Sequence, residues 1–402
     1  MSNTATTATP AQPQTTVEPP GGPFVRHAEP GKARIFDLTG QGFGGLINTP
    51  LVAIPGYARA FRLLFKATGG ANLTTNTTAA AADAPYNIVQ LMTLWDALGT
   101  PIVSLPGYEG LKLVPMFSGG FGLDNAADIA NLPSFSAVGT GAASAIGTGN
   151  FAFASAIPLE FTKGYGCVGM ADGDVLPKLQ IQLAPSASVY TTAPLTLPAL
   201  EVRLNSDFYW LPQGQAIAPP GLGSTRQWFL QQGNPTISSG GTTSVTIPRQ
   251  GGWLDTMIFV LRDGNSARID AWPSILRFSI DGIGEISTNI DEIYDDMAIT
   301  FGVGANSQGG VPAGSGTATA GTVAVPIPRP TGVIAISRKT SLGQRIFGLL
   351  DTLEVALGTS PGTGMVVEGA PWGTIGTGPA TLNAVLGQII PSGALLQGLP
   401  EM

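Results

Sequence analysis

Hydrophobic and polar positions alternate along this chain in short runs, separated by turns rich in glycine and proline. Residues 179–183 (LQIQL) and 200–204 (LEVRL) show strict period-two alternation, the pattern of a strand with one buried face. Residues 58–66 and 151–159 alternate in part, and 102–105 read as a strand running into a turn at Pro106-Gly107. Later strands are predicted at 244–248, 253–261, 275–280, 332–337, 353–357 and 364–367, with a further one at 322–327. Asp263-Gly264 and Asp281-Gly282 are hairpin-type turns. Helical signals are few. In residues 86–98, Ile88, Leu91, Leu94 and Trp95 have helical spacing, but the same residues fit a strand entering a turn at Gly99. Residues 123–132 read as a short helix. Asn289 followed by Asp291 and Glu292 marks a helix start of one or two turns.

This rhythm predicts an all-β protein: two tandem jelly-roll β-sandwiches with a few short helices and a flexible N-terminal arm. Residues 1–33 are rich in Thr, Pro, Gln and Ala and form the arm. The first sandwich is placed at 34–215 and the second at 216–376, with the boundary in the Gly- and Pro-bearing stretch 213–224. Residues 377–402 are read as a weakly apolar C-terminal tail, and 137–149 and most of 297–328 as loops. A single large sandwich with insertions is the alternative architecture.

Composition narrows the function. The 402 residues include one histidine, His27, and one cysteine, Cys167. Only 11% are charged, against about 25% in an ordinary soluble domain. Most enzymes draw on His, Cys and clustered carboxylates, so this inventory points to a building block and not to an enzyme. No catalytic, cofactor-binding or metal-binding residues are assigned. A net charge of −7, with no basic run longer than Arg338-Lys339, argues against specific nucleic-acid binding. One cysteine excludes internal disulfides and fits a reducing compartment. Residues 1–23 contain no Lys or Arg and no apolar core, so no secretory signal is expected. No apolar stretch approaches the length of a membrane-spanning helix. A surface of Thr, Ser, Gly, Asn and Gln suits a protein covered by copies of itself, where unpaired charge is costly to bury.

Several groups of residues have two readings. Asp291, Glu292, Asp295 and Asp296 form the densest acidic cluster, either a carboxylate or Ca²⁺ site or a solvated helix start favoured by the macrodipole. Asp172-Gly173-Asp174 is a cation site or an exposed turn. Residues 40–45 (GQGFGG) lack the Lys-Ser/Thr of a phosphate loop. His27 lies among Pro and Gly in the arm, and Cys167 reads as a small buried apolar residue. Arg26, Lys32 and Arg34 form a modest basic cluster at the arm's exit, facing solvent or an acidic surface.

One ordered set of segments is more specific. Residues 157–161 (IPLEF), a Gly-rich stretch and 175–183 (VLPKLQIQL) resemble the first jelly roll of the double jelly-roll major capsid proteins of tailless icosahedral, internal-membrane viruses, tectivirus-like. Residues 34–39 resemble the start of that sandwich, 253–263 and 276–282 the start of the second, and 332–336 its late strand. The resemblance spans roughly residues 34–370. It implies a major capsid protein that trimerises into pseudo-hexagonal capsomers and tiles an icosahedral virion shell, assembled in the host cytoplasm. It also implies neighbouring capsomers, penton and minor capsid proteins as partners, and contact with an internal virion membrane. Residues 1–23 lack the amphipathic helix that many such proteins carry there. A carbohydrate-binding adhesin or receptor-binding spike is the alternative. It calls for an exposed aromatic stripe, whereas the six tryptophans are scattered at 95, 210, 228, 253, 272 and 372. A third reading is a β-sandwich hydrolase using the carboxylates of 291–296.

Overall fold

The computed structural model describes residues 22–71, 78–118, 134–135, 148–162, 164–174, 176–211, 217–220, 222–232, 237–247, 252–280, 284–307, 327–337, 339–340, 342–343 and 365–390. The expected helix at 123–132, the expected strand at 353–357, residues 1–21 and residues 391–402 lie outside them.

Sixteen principal strands organise the chain, eight in each half. The first eight are β1 (Glu29–Gln41), β2 (Leu46–Pro50), β3 (Tyr57–Thr68), β4 (Val89–Trp95), β5 (Pro101–Leu105), β6 (Phe151–Pro158), β7 (Lys178–Leu183) and β8 (Ala199–Trp210). The second eight are β9 (Thr225–Gln232), β10 (Thr243–Ile247), β11 (Trp253–Arg262), β12 (Ile275–Ile280), β13 (Gly284–Asn289), β14 (Val333–Ser337), β15 (Met365–Gly369) and β16 (Thr381–Ile390). Three helices matter below: α1 (Gly22–His27), α2 (Val114–Phe117, entered through a π-helical turn at Glu109–Leu113) and α3 (Ile290–Phe301).

The two halves repeat one topology. In the first, one sheet has the order β1-β8-β3-β6 and the other β2-β7-β4-β5; in the second, the orders are β9-β16-β11-β14 and β10-β15-β12-β13. Each strand of the first half therefore corresponds to the strand eight places later. The helices match as well, since α2 lies between β5 and β6, and α3 between β13 and β14. This is a tandem pair of eight-stranded sandwiches, and the all-β expectation is met.

Inside the first sandwich, alternation sorts the side chains. Phe61, Leu63 and Phe65 of β3, Leu179, Ile181 and Leu183 of β7, and Val202 and Leu204 of β8 face inward and are buried. Phe65 stacks on Phe153 with ring centroids 5.0 Å apart. In two strands of the second half the alternation disappears. Residues 254–261 of β11 and 333–337 of β14 are buried on both faces. Their sheet is a middle layer, and one apolar cluster runs through both halves.

Several boundaries differ from the expectation. β1 begins at Glu29, inside the expected arm, because Glu29–Arg34 pair with Asn205–Trp210 of β8. Just before it, α1 is pinned where Phe24 inserts edge-on against Tyr57 and Tyr209, each 5.7 Å away. The expected tail contains β16, which pairs on one side with β9 and on the other with β11; the tail reading fails for 381–390. The ambiguous stretch 86–98 is a short 3₁₀ turn (Tyr86–Ile88) followed by strand β4, held by ladders to β7 and β5. The helix after Asn289 runs twelve residues and absorbs 297–301, which were expected as loop. It lasts because Ile293, Met297 and Phe301 bury one face.

Candidate functional site

The halves meet at a charged joint. β5 pairs with β9 in parallel through Val103↔Trp228 and Ser104↔Phe229, which makes one eight-stranded sheet of β2-β7-β4-β5 and β9-β16-β11-β14. Beside this seam, first-half acids meet second-half arginines. Arg262, the last residue of β11, donates from Nη1 to Asp83 Oδ2 at 2.5 Å and from Nη2 to Glu109 Oε1 at 2.8 Å. Arg268 donates from Nε to the other Asp83 oxygen at 2.5 Å. Its guanidinium lies 4.4 Å from the centre of the Tyr108 ring, a cation–π arrangement. Asp83 takes φ +66° on the turn before β4, a left-handed conformation that Asp tolerates better than most residues.

Electrostatics at this joint oppose desolvation. Burial works against the charge of Arg262, but the Asp83 and Glu109 carboxylates outweigh it and raise its pKa above the ordinary value. Burial, with the charge of Arg268 added, lowers Lys112 on the same turn to about 8. Its Nζ lies 5.7 Å from the Tyr86 ring centre. Burial is also the main reason that Tyr86 and Tyr108 are raised above the usual phenol range.

A second contact lies further along the seam. Arg226 of β9 ion-pairs with Asp255 of β11, and both are buried. Arg226 also donates to the first-half carbonyl of Ser118 at 3.1 Å and sits 4.6 Å from the Trp228 ring centre. Phe117 of α2 meets Phe301 of α3 edge-on at 5.1 Å. Together these groups fix one sandwich against the other. They hold a geometry; they do not form a nucleophile–base pair.

The residues singled out by sequence lie elsewhere and are not brought together. Asp291, Glu292 and Asp295 are exposed on α3. Glu292 accepts the Thr288 hydroxyl at 2.7 Å, and Asp296 accepts the Leu342 amide at 2.9 Å. Among the described residues, no three His, Cys, Asp or Glu side chains are placed to share a metal ion. Asp172 accepts the Asp174 amide at 3.0 Å, closing an exposed turn. Gly40, near the end of β1, and Gly44, in the connection from β1 to β2, take positive φ. His27 ends α1, exposed, with Arg26 beside it and Lys32 and Arg34 exposed on β1. Cys167 is buried near Arg59 and Glu160, and burial raises its thiol well above the usual range.

Sequence reading missed Asp83, Glu109, Arg226, Asp255, Arg262 and Arg268. One signal was present. Asp255 stands alone in an apolar strand run, and a buried carboxylate there needs a cation.

A surface hollow of about 470 Å³ opens beside the β4–β5 turn, lined by Asn48, Trp95, Asp96, Leu98, Lys178 and Gln180 among others. No helix among the described residues is long and apolar enough to cross a membrane.

No protein-family model and no curated protein sequence matches this chain. Solved structures do. The chain is similar to the major capsid protein of STIV in its crystal structure, with a TM-score of 0.58 at 12% identity, covering 92% of this chain and 100% of that one. It is equally similar to a chain in the atomic structure of Sulfolobus turreted icosahedral virus, with a TM-score of 0.58 at 13% identity, covering 92% and 94%. The fold is therefore the double jelly roll of these capsid proteins.

Proposed function

We propose that this chain is a major capsid protein that trimerises into pseudo-hexagonal capsomers and tiles an icosahedral virion shell. The observation that carries the reading is the duplicated eight-strand topology, matched over nearly the whole length of a capsid protein. On this reading the first sandwich spans 34–215 and the second 216–376, extended by β1 from Glu29 and by β16. The chain's role is mechanical, its place is the virion, and it is assembled in the host cytoplasm. Its partners are copies of itself, penton and minor capsid proteins, and an internal virion membrane. The adhesin alternative is not favoured, because Trp228, Trp272 and Trp372 are buried and contribute no exposed aromatic stripe.

Light scattering on the purified full chain tests the reading. A particle of three times 41.1 kDa is expected, held by interfaces on the order of 2,000 Å² or more. A monodisperse monomer at micromolar concentration across salt would overturn it.

A further inference from the structure

The turn between β4 and β5 is pinned. Asp96 donates its amide to the Thr100 carbonyl at 2.8 Å, and its Oδ1 accepts the amides of Leu98 and Thr100 at 2.9 and 2.7 Å. Gly99 supplies the positive φ, +86°, that the turn needs. This fixed backbone holds Leu98 out in water, 90% exposed. The hollow of about 470 Å³ lies beside it, a size usual for a small-molecule site.

Strands build the rest of the hollow. Lys178 of β7 stands opposite Trp95 of β4, and Gln180 of β7 stands opposite Asn48 of β2. Lys178 and Gln180 are two positions apart, so they share one face of the strand. It is the outer face, because Leu179 and Ile181 are buried in the core. Trp95 is half-buried, while Asn48 and Lys178 are exposed. Side chains carried on paired strands are held more precisely than side chains on loops.

The fold does not require this set. At the same end of the second sandwich, the outer row across β10, β15 and β12 is Thr246, Val366 and Ser279, and the next row is Ser244, Glu368 and Arg277. Neither row has an aromatic residue or a side-chain amide. A set needed to close this end of a sandwich would recur in the repeat. The indole, the two amides and the lysine occur in the first sandwich alone.

Their chemistry selects a ligand. The indole offers a flat apolar face. Asn48 and Gln180 offer both donors and acceptors, and Lys178 offers donors. A purely apolar ligand would cover these polar groups without pairing them, which is costly. A small inorganic anion would leave the indole and Leu98 unused. A pyranose ring has an apolar C–H face and an edge crowded with hydroxyls, and it matches both sets. We propose that the hollow is a saccharide-binding subsite, in which a pyranose ring stacks on Trp95 and its hydroxyls bond with Asn48, Gln180 and Lys178, with Leu98 at the rim. The site goes beyond the capsid reading and does not depend on it. It is one platform, not the aromatic stripe of an adhesin.

The test is saturation-transfer NMR and titration calorimetry on the full chain. The probes are the trisaccharides of glucose, mannose, N-acetylglucosamine and galacturonic acid. At least one is expected to bind, with saturation strongest on the C–H protons of one ring. Trp95→Ala should raise its dissociation constant at least about tenfold, and Trp95→Phe should recover part of the loss. Gln180→Ala and Lys178→Met, which leave the indole in place, should each weaken binding about three- to tenfold. Ser279→Ala, in the corresponding row of the second sandwich, should change nothing. Circular dichroism melts check that each variant is folded. No saturation with any of the four probes would overturn the proposal. So would binding that survives unchanged in folded Trp95→Ala, or in both Gln180→Ala and Lys178→Met. The oligomer measured by light scattering is independent of either result, so failure here leaves the capsid reading standing.

Discussion

Arg262 ties the two sandwiches through two carboxylates that burial would otherwise make costly. Removing one partner of such a cluster leaves uncompensated charge in a low-dielectric site. Arg262→Met should therefore cost about 3–5 kcal/mol, measured by denaturant unfolding against wild type, because Asp83 and Glu109 stay behind. Replacing Asp83 and Glu109 as well, with Asn and Gln, should recover part of that loss. If Arg262→Met is neutral, the ion pairs are incidental to the joint. Lys112 gives a different signature. Its folded pKa is lowered from 10.5 to about 8, so between those values the unfolded chain binds more protons than the folded one. Stability should then rise with pH from about 8 to 10.5, by roughly 3 kcal/mol from this residue. The test is the difference between wild type and Lys112→Met across that window, which cancels the other titrating groups. Parallel pH profiles for the two proteins would show that Lys112 is not held charged against burial.

Among the elements, α3 shows how local signals and packing share the work. Asn289 precedes it in extended conformation, acids occupy its first turn, and Gly302 ends it at φ +67°. A Cβ built on Gly302 meets nothing within 4 Å, so Gly302→Ala carries backbone strain alone. The expected cost is about 1 kcal/mol, read as a lower melting temperature with the oligomer unchanged. A neutral result would mean that the helix end relaxes into another turn. The four-residue α2 has no comparable stop signals. It is held by its own sandwich and by Phe301, which is why α2 escapes a reading of periodicity.

For the whole molecule, the shared eight-stranded sheet makes the halves interdependent. β16 lies in the middle of that sheet, flanked by β9 and β11. Truncation after residue 380 should therefore abolish cooperative folding of the second half, not trim a tail. Calorimetry of the shortened chain is expected to show no native transition for that half. An unchanged melting profile would contradict the placement of β16.

The sequence by itself determined the class of the fold and many of its strands. Alternation at 179–183 and 200–204 is dictated by a sheet with one wet face, so it is visible without the rest of the molecule. The Asp263 turn is local chemistry as well, its carboxylate accepting the amides of Asn265 and Ala267. The poverty of His, Cys and charge limits the function from composition alone. Tertiary structure alone decided the rest. β11 and β14 are covered on both faces and lose the alternation that marks a strand. β16 holds Gly387 under the Trp228 ring, where a Cβ would come within 2.7 Å, so a central strand carries a residue more typical of turns. Asp83 and Arg262 are 179 positions apart, and no spacing rule relates them. They meet because β5 runs beside β9, a parallel pairing between strands that belong to different sandwiches.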